Sequence, residues 1–420
     1  MSESSESLKF TKTKTVLKKM YEVTKASTNL ALSFFPSGTS TTSVYFYITM
    51  TIIIIILIVL FGWIYDRLDL EKRTCTKLEK YYKKNIGQSY FTSANIVKIS
   101  VQGSNHSKFD ISNSILKNYY VKSAYNCCCG DGYKNNFVNL CALEKTIKNG
   151  CRFLDFEIYS YNNEPIIASS TANSNYIKET YNSLKLDEVL TTITSKAFNA
   201  INTNCYRDPL ILNFRIMSTN LTMLEKIGTL FELHLEPTTG GVETFKLMKQ
   251  HNYTNGTIIN VQMKDLYKTI IIICDFYPSN NILETNEQLS KLKTYISLKG
   301  KGEYCKTYRY NEIVGKTNHF IDETKRSFII VLPTLNNSIY NDEFASSYGY
   351  GCHAIAMKYQ TSDANLIEYN KQFEIKGNYS WNMKSDHLIT NVPLQFAIIP
   401  FTSHRPESDI RTRIQTLLSQ

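Results

Sequence analysis

Apolar and polar positions divide the chain into three unequal parts. Residues 1–43 are rich in Ser, Thr and Lys with little apolar periodicity, which predicts a disordered polar tail. From Tyr45 to Tyr65 come 21 residues without a charge. At about 1.5 Å per helical residue they reach about 30 Å, the thickness of a bilayer core. Tyr45, Trp63 and Tyr65 stand at the two ends of the run, where amphipathic rings prefer the headgroup region. The expectation is a single transmembrane helix over residues 44–65. A cleavable signal does not fit, because a long polar segment precedes the run and no small-residue cleavage site follows it. Residues 66–117 mix charges with Leu68, Leu70, Leu78 and Tyr81 and read as a basic stalk or linker.

Beyond residue 118 short apolar runs alternate with amphipathic stretches, the pattern of α/β architecture. Strands are expected at 122–128, 152–160, 165–169, 209–216, 257–263, 269–276, 327–333, 353–360 and 395–401, and helices at 138–150, 183–201 and 220–234. Several runs suit burial on both faces, which favours a distorted TIM (β/α)8 barrel over a doubly wound sheet. No glycine-rich phosphate loop accompanies them, so nucleotide binding has no support.

Composition narrows the chemistry. The seven histidines include no pair at metal-ligand spacing, which argues against a zinc hydrolase. Ten cysteines in 420 residues are too dilute for a disulfide scaffold, and Cys127-Cys128-Cys129 with Cys141 and Cys151 fits no zinc ribbon. They read as structural or redox-silent. Of the net charge of +10, the flanks at 1–43 and 66–84 carry +6. The basic excess therefore faces anionic headgroups, and nucleic acid is not an expected partner. Lys25 alone precedes the apolar run at close range, against Arg67, Lys72, Arg73, Lys77, Lys80, Lys83 and Lys84 after it. By the positive-inside rule this favours a single-pass protein with a cytosolic barrel. Six N-x-S/T sequons (Asn105, Asn220, Asn252, Asn255, Asn336 and Asn378) are about what this composition yields by chance, and carry no topological weight on their own.

In a barrel the chemistry sits at the C-terminal ends of the strands. That rule selects Ser123 to Asn126, Asp155, Glu157, Ser169, Ser170, Asn213 and Arg215. Asp155 and Glu157 are two apart, so on a strand they share a face, and two inward carboxylates need a cation between them. A metal ion or Arg215 could supply it.

The stretch from Ala142 through Asn149-Gly150-Cys151-Arg152-Phe153-Leu154-Asp155-Phe156-Glu157-Ile158-Tyr159 resembles the X-region of eukaryotic-type phosphoinositide-specific phospholipase C. EPIIASS, LDEVLTTITSKAF and DPLILNFRI extend the likeness. Gly351-Cys352-His353 through Thr361, with NKQFEIKGNYSWNMKSDHL, is similar to the Y-region of the same family. The resemblance covers residues 118–405, with an X half at about 118–277, a Y half at about 304–405 and a short tail at 406–420. With its YNCCCGDG run the chain also resembles membrane-anchored X-domain proteins of large DNA viruses.

The resemblance implies phosphodiester cleavage by two histidines and a calcium ion held by an Asn, an acidic-x-acidic pair and a further Glu. At the matching positions Ala124 (or, one residue shifted, Tyr125) and Ser169 or Ser170 replace the histidines. Asn126, Asp155 and Glu157 remain, so Asp155 and Glu157 are the candidate metal ligands, and Arg215 stands for the further glutamate. The implied substrate-charge partners fall on Ile273-Cys274-Asp275 and Ile330. The expectation is a catalytically impaired barrel that needs no cofactor, with Arg215 in place of calcium. It would bind an anionic lipid, a phosphoinositide or a protein partner at a host or virion membrane. The alternatives are an active phosphodiesterase with an altered site and a viral structural or interaction protein.

Overall fold

The computed structural model describes residues 41–82, 86–91, 114–172, 176–236, 245–249, 253–277, 281–377 and 379–390, with Glu22 and Lys25; of 41–44 and 66–69 it describes the backbone only. Most of the polar tail, the strand expected at 395–401 and the C-terminal tail lie outside these residues. The chain divides into two compact units, Met1–Leu70 and Glu71–Gln420.

Helix α1 (Thr41–Tyr81) covers the apolar segment and the first part of the expected stalk. Tyr45 to Tyr65 are largely exposed apolar side chains, and by length and hydropathy α1 is able to cross a membrane. Its end from Glu71 onward belongs to the second unit, where Thr74 and Leu78 are buried and Lys77 pairs with Asp131 at 3.2 Å. Cys75 forms a disulfide with Cys141, and the remaining eight cysteines are free and buried.

Among the described residues the second unit has twelve strands: β1 (Tyr119–Ala124), β2 (Phe153–Tyr161), β3 (Glu164–Ala168), β4 (Leu184–Lys185), β5 (Leu210–Ile216), β6 (Lys246–Leu247), β7 (Thr269–Phe276), β8 (Leu298–Lys299), β9 (Cys305–Arg309), β10 (Phe328–Leu332), β11 (Ala354–Met357) and β12 (Trp381–Met383). Eight of them pair in parallel in the order β6-β7-β5-β2-β1-β11-β10-β9. The N-terminal and C-terminal halves therefore meet where β1 lies beside β11. Among the described residues no pairing joins β6 to β9, so this α/β sheet is a barrel that curls without closing.

Helices α2 (Leu140–Lys148), α3 (Leu186–Ala197) and α4 (Leu221–Leu235) cover the outside of the first half. Asn139 caps α2 by accepting from the Ala142 amide at 3.0 Å, and Asn220 caps α4 by accepting from Met223 at 3.2 Å. Beyond α2 the chain reverses at Gly150, whose φ of +81° and close approach to the Ile86 carbonyl leave no room for a Cβ. The backbone then enters β2 directly.

The β-strand period of two sorts the side chains of this half. Leu154, Phe156 and Ile158 alternate with Asp155, Glu157 and Tyr159. On β5, Phe214 alternates with Asn213 and Arg215. Phe156 stacks on Phe214 at 5.5 Å, and Phe214 meets Phe231 of α4 at 5.3 Å. This apolar layer between sheet and helices leaves the polar set for the barrel interior.

Two expectations change. The strand expected at 257–263 is instead two 3-10 turns, Thr257–Asn260 and Met263–Leu266. Gly256 enters the first with φ of +64°, and Ile258, Ile259 and Met263 are buried without alternating. The strand expected at 122–128 starts earlier, at Tyr119, and ends at Ala124, because Asn126 turns the chain with φ of +43° and draws the three cysteines into a bend.

Phe214→Ala would remove the middle ring of this layer. The expected loss is about 3–5 kcal/mol of unfolding free energy, measurable as a lower urea midpoint with an unchanged slope.

Candidate functional site

Register places the site. Along β2 and β5, Asp155 pairs with Asn213 and Glu157 with Arg215, and on the next strand Arg215 faces Asp275. The bend after β1 brings Asn126 over the same spot, and the end of β3 delivers Ser169 and Ser170. All of these side chains are at least 96 % buried.

The Arg215 guanidinium lies between the two carboxylates. Its Nε donates to Asp155 Oδ1 at 2.9 Å and its Nη2 to Asp155 Oδ2 at 2.7 Å, a bidentate fork, while Nη1 donates to Glu157 Oε1 at 2.7 Å. Nη2 also donates to Asn126 Oδ1 at 3.0 Å. The Tyr125 ring packs on the guanidinium, its centroid 4.9 Å from Cζ.

The remaining lone pairs are filled by neutral donors. Asn213 Nδ2 donates to Asp155 Oδ1 at 2.7 Å and the Asn126 amide to Oδ2 at 3.1 Å. Asn126 Nδ2 donates to Glu157 Oε1 at 3.1 Å, and Oε2 accepts from the Tyr159 hydroxyl at 2.6 Å and the Ser170 amide at 2.9 Å. Every carboxylate oxygen of Asp155 and Glu157 thus has two donors. That completeness is what lets a buried ion cluster stand against its desolvation cost. Burial disfavours the charged guanidinium, but Asp155 and then Glu157 outweigh it and raise its pKa well above the ordinary value.

The structure brings together Asn126, Asp155, Glu157 and Arg215, the barrel-mouth set selected from sequence. Ala124 is a buried strand residue, and Tyr125 serves as the guanidinium's ring partner. Ser169 donates to the Tyr133 carbonyl at 2.9 Å, and Ser170 to the Ala172 carbonyl and to Glu179. Among the described histidines, none is bonded to this cluster. His353 precedes β11, at the opposite ends of the strands: its Nδ1 accepts from the Ile329 amide at 2.9 Å, and Nε2 lies 2.7 Å from the Lys117 carbonyl and 2.8 Å from Lys384 Nζ. Burial, and then Lys384, push its pKa well below the ordinary imidazole value, so the ring is neutral. His234 pairs with Asp187 on the helical layer.

Tyr159 and Glu179 were not singled out from sequence. Tyr159 had a signal, since it follows Glu157 by two and shares its face. Glu179 had none, because it lies in an aperiodic strap after β3. Lys134 at 2.7 Å and the Thr171 amide at 2.6 Å bind it, with Ser170 at 3.1 Å. Asp275 lies 3.5 Å from Lys301, whose ammonium sits 3.3 Å from the Tyr277 ring centroid. Burial pushes the Asp275 carboxyl up, with Lys301 opposing.

A calcium ion held by Asp155, Glu157 and Asn126 would have to enter a space already filled by the guanidinium. Among the described residues no cluster of three or more His, Cys, Asp or Glu side chains could hold a metal. The donor set as it stands does not fit the ion that the resemblance implies.

Arg215→Met leaves two buried carboxylates without their cation and should cost about 3–5 kcal/mol in urea unfolding. Arg215→Lys should recover only part of this, because an ammonium cannot reproduce the fork. Although burial works against it, Lys134 and then Thr171 and Ser170 hold Glu179 down to about 2, from an ordinary 4.5. Its contribution is therefore fully present above pH 4.5 and lost as the pH falls toward 2. Glu179→Gln should flatten the fall in stability across that window.

No protein-family model matches the chain, and no curated protein matches it significantly in sequence. Solved structures do match. PLC21 from L. pealei is 14% identical, over 87% of this chain and 56% of its own, with a TM-score of 0.47. PLC21 from S. officinalis is also 14% identical, over 87% and 55%, with a TM-score of 0.48. A calcium-dependent phosphoinositol-specific phospholipase C from Pseudomonas sp is 8% identical, over 65% of this chain and 96% of its own, with a TM-score of 0.42. The chain thus spans little more than half the length of the two PLC21 proteins. At such identities the roles of individual side chains rest on this chain's own geometry.

Proposed function

We propose that this protein is a membrane-anchored, phospholipase C-like barrel that no longer hydrolyses phosphodiesters and instead binds a lipid or a protein partner. The observation that carries this reading is the occupied site. The carboxylates that would hold a catalytic cation are bridged by Arg215 and completed by neutral donors, and all the groups involved are buried. Ala124 and Ser169 or Ser170 stand where the resemblance places the two catalytic histidines. Loss of one such group costs about 10²–10⁴ in rate, and here both are replaced.

The test uses the full chain, purified in detergent and reconstituted. It should release no inositol phosphate from phosphatidylinositol or phosphatidylinositol bisphosphate vesicles, with calcium or with chelator. Calcium should leave its melting temperature unchanged and give no heat in calorimetry. Robust calcium-dependent release, or tight calcium binding, would falsify the reading. Vesicle flotation then separates the two binding roles: retention on anionic vesicles favours a lipid ligand, and indifference to vesicle composition favours a protein partner.

A further inference from the structure

The chain carries two features that the occupied site does not use: a disulfide in the unit that follows the apolar helix, and sequons whose asparagines differ sharply in their surroundings. We propose that this unit folds on the oxidising, non-cytosolic side of the membrane, where Cys75 and Cys141 are joined and Asn255 and Asn336 carry N-linked glycans. The proposal rests on the membrane-anchored reading but not on the loss of hydrolysis.

Cys75, at the end of α1, and Cys141, at the start of α2, are 66 residues apart in sequence with Cα atoms 5.9 Å apart. Stable structural disulfides form in oxidising compartments and are rare in the cytosol. The eight free cysteines are all buried, so their reduced state does not indicate the compartment. The lysines and arginines after the span favour the cytosol by count, but that rule applies to short loops, and large domains translocate largely regardless of it. Lys77, one of those residues, is taken up by Asp131.

Three sequons fall wholly on described residues. Asn220 is half-buried and engaged at both ends of its amide: Oδ1 caps α4, and Nδ2 donates to Ser160 at 3.2 Å and to Asn163 at 2.7 Å. Asn255 and Asn336 are exposed loop residues. Asn255 Oδ1 accepts from the Thr257 amide at 3.1 Å and the Thr257 hydroxyl at 3.0 Å; Asn336 Oδ1 accepts from the Ser338 amide at 2.9 Å. In both, the oxygen is turned back on the acceptor triplet, and among the described residues no hydrogen bond engages Nδ2, the atom that takes the sugar. The geometry therefore offers two acceptors and withholds the third.

Each transfer forms an Nδ2–C1 bond and breaks the C1–O bond to a lipid pyrophosphate-linked oligosaccharide. The pyrophosphate leaves with the bonding pair, and the amide gives up a proton. Closing the disulfide removes two protons and two electrons from the cysteine pair, taken up by a disulfide-bearing oxidant of the compartment.

The experiment expresses the full chain in a eukaryotic cell that glycosylates membrane proteins. Thr257→Ala and Ser338→Ala, both at exposed positions, should each remove one endoglycosidase-sensitive step from the gel mobility, and Thr222→Ala should remove none. A non-reduced digest should contain the Cys75–Cys141 linked peptides. Alkaline carbonate extraction reports separately on the anchor. A chain that stays in the membrane pellet but loses no step in either variant, or whose Cys75 and Cys141 alkylate without reduction, overturns the inference and leaves the anchored reading intact. A chain released by carbonate overturns both.

Discussion

The interior of the barrel depends on one guanidinium. Parallel strands buried on both faces leave no water to solvate Asp155 and Glu157, so a cation must be supplied from within the fold, at the right height on the neighbouring strand. Arg215 meets that demand through register: it is paired with Glu157, and its fork spans the two positions that the pleat places on one face. The Asn126 bend, the Tyr125 ring and the Ser170 amide complete the shell. If β5 slipped by one residue, Arg215 would point into the Phe156–Phe214–Phe231 layer. The ion cluster and the aromatic layer therefore fix the same register from opposite faces of the sheet.

Much of this was legible because a strand's alternation is written directly in its residues. FLDFEIYSY and LILNFRI each show which side chains share a face, and both strands lie where the pattern puts them to within a residue or two. Helices α2, α3 and α4 announce themselves by apolar spacing, and α2 and α4 also by an asparagine cap. The legibility ends where burial is continuous and aperiodic. Ile258, Ile259 and Met263 are apolar enough for a strand, yet they satisfy their burial within two 3-10 turns. The short strands β6, β8 and β12 span two or three residues, too few for a local period, and are defined by their pairing with β7 and β1.

The same limit applies to the site. Asp155, Glu157 and Arg215 could be associated by charge and strand position, and Tyr159 by its spacing from Glu157. The Glu179 strap and the Lys301–Asp275 pair depend on how loops return over the barrel, which no local period encodes. The partner of Cys75 is equally silent in sequence: spacing gives no reason to choose Cys141 among nine others.

A cation that is part of the chain differs from a bound ion in one respect that geometry alone does not display. It has no off-rate. A metal held by two carboxylates exchanges with the medium, competes with other divalent ions and fluctuates with their concentration; the Arg215 guanidinium does none of these. The charge balance of Asp155 and Glu157 is therefore written into the chain itself, made with the fold and not drawn from the medium.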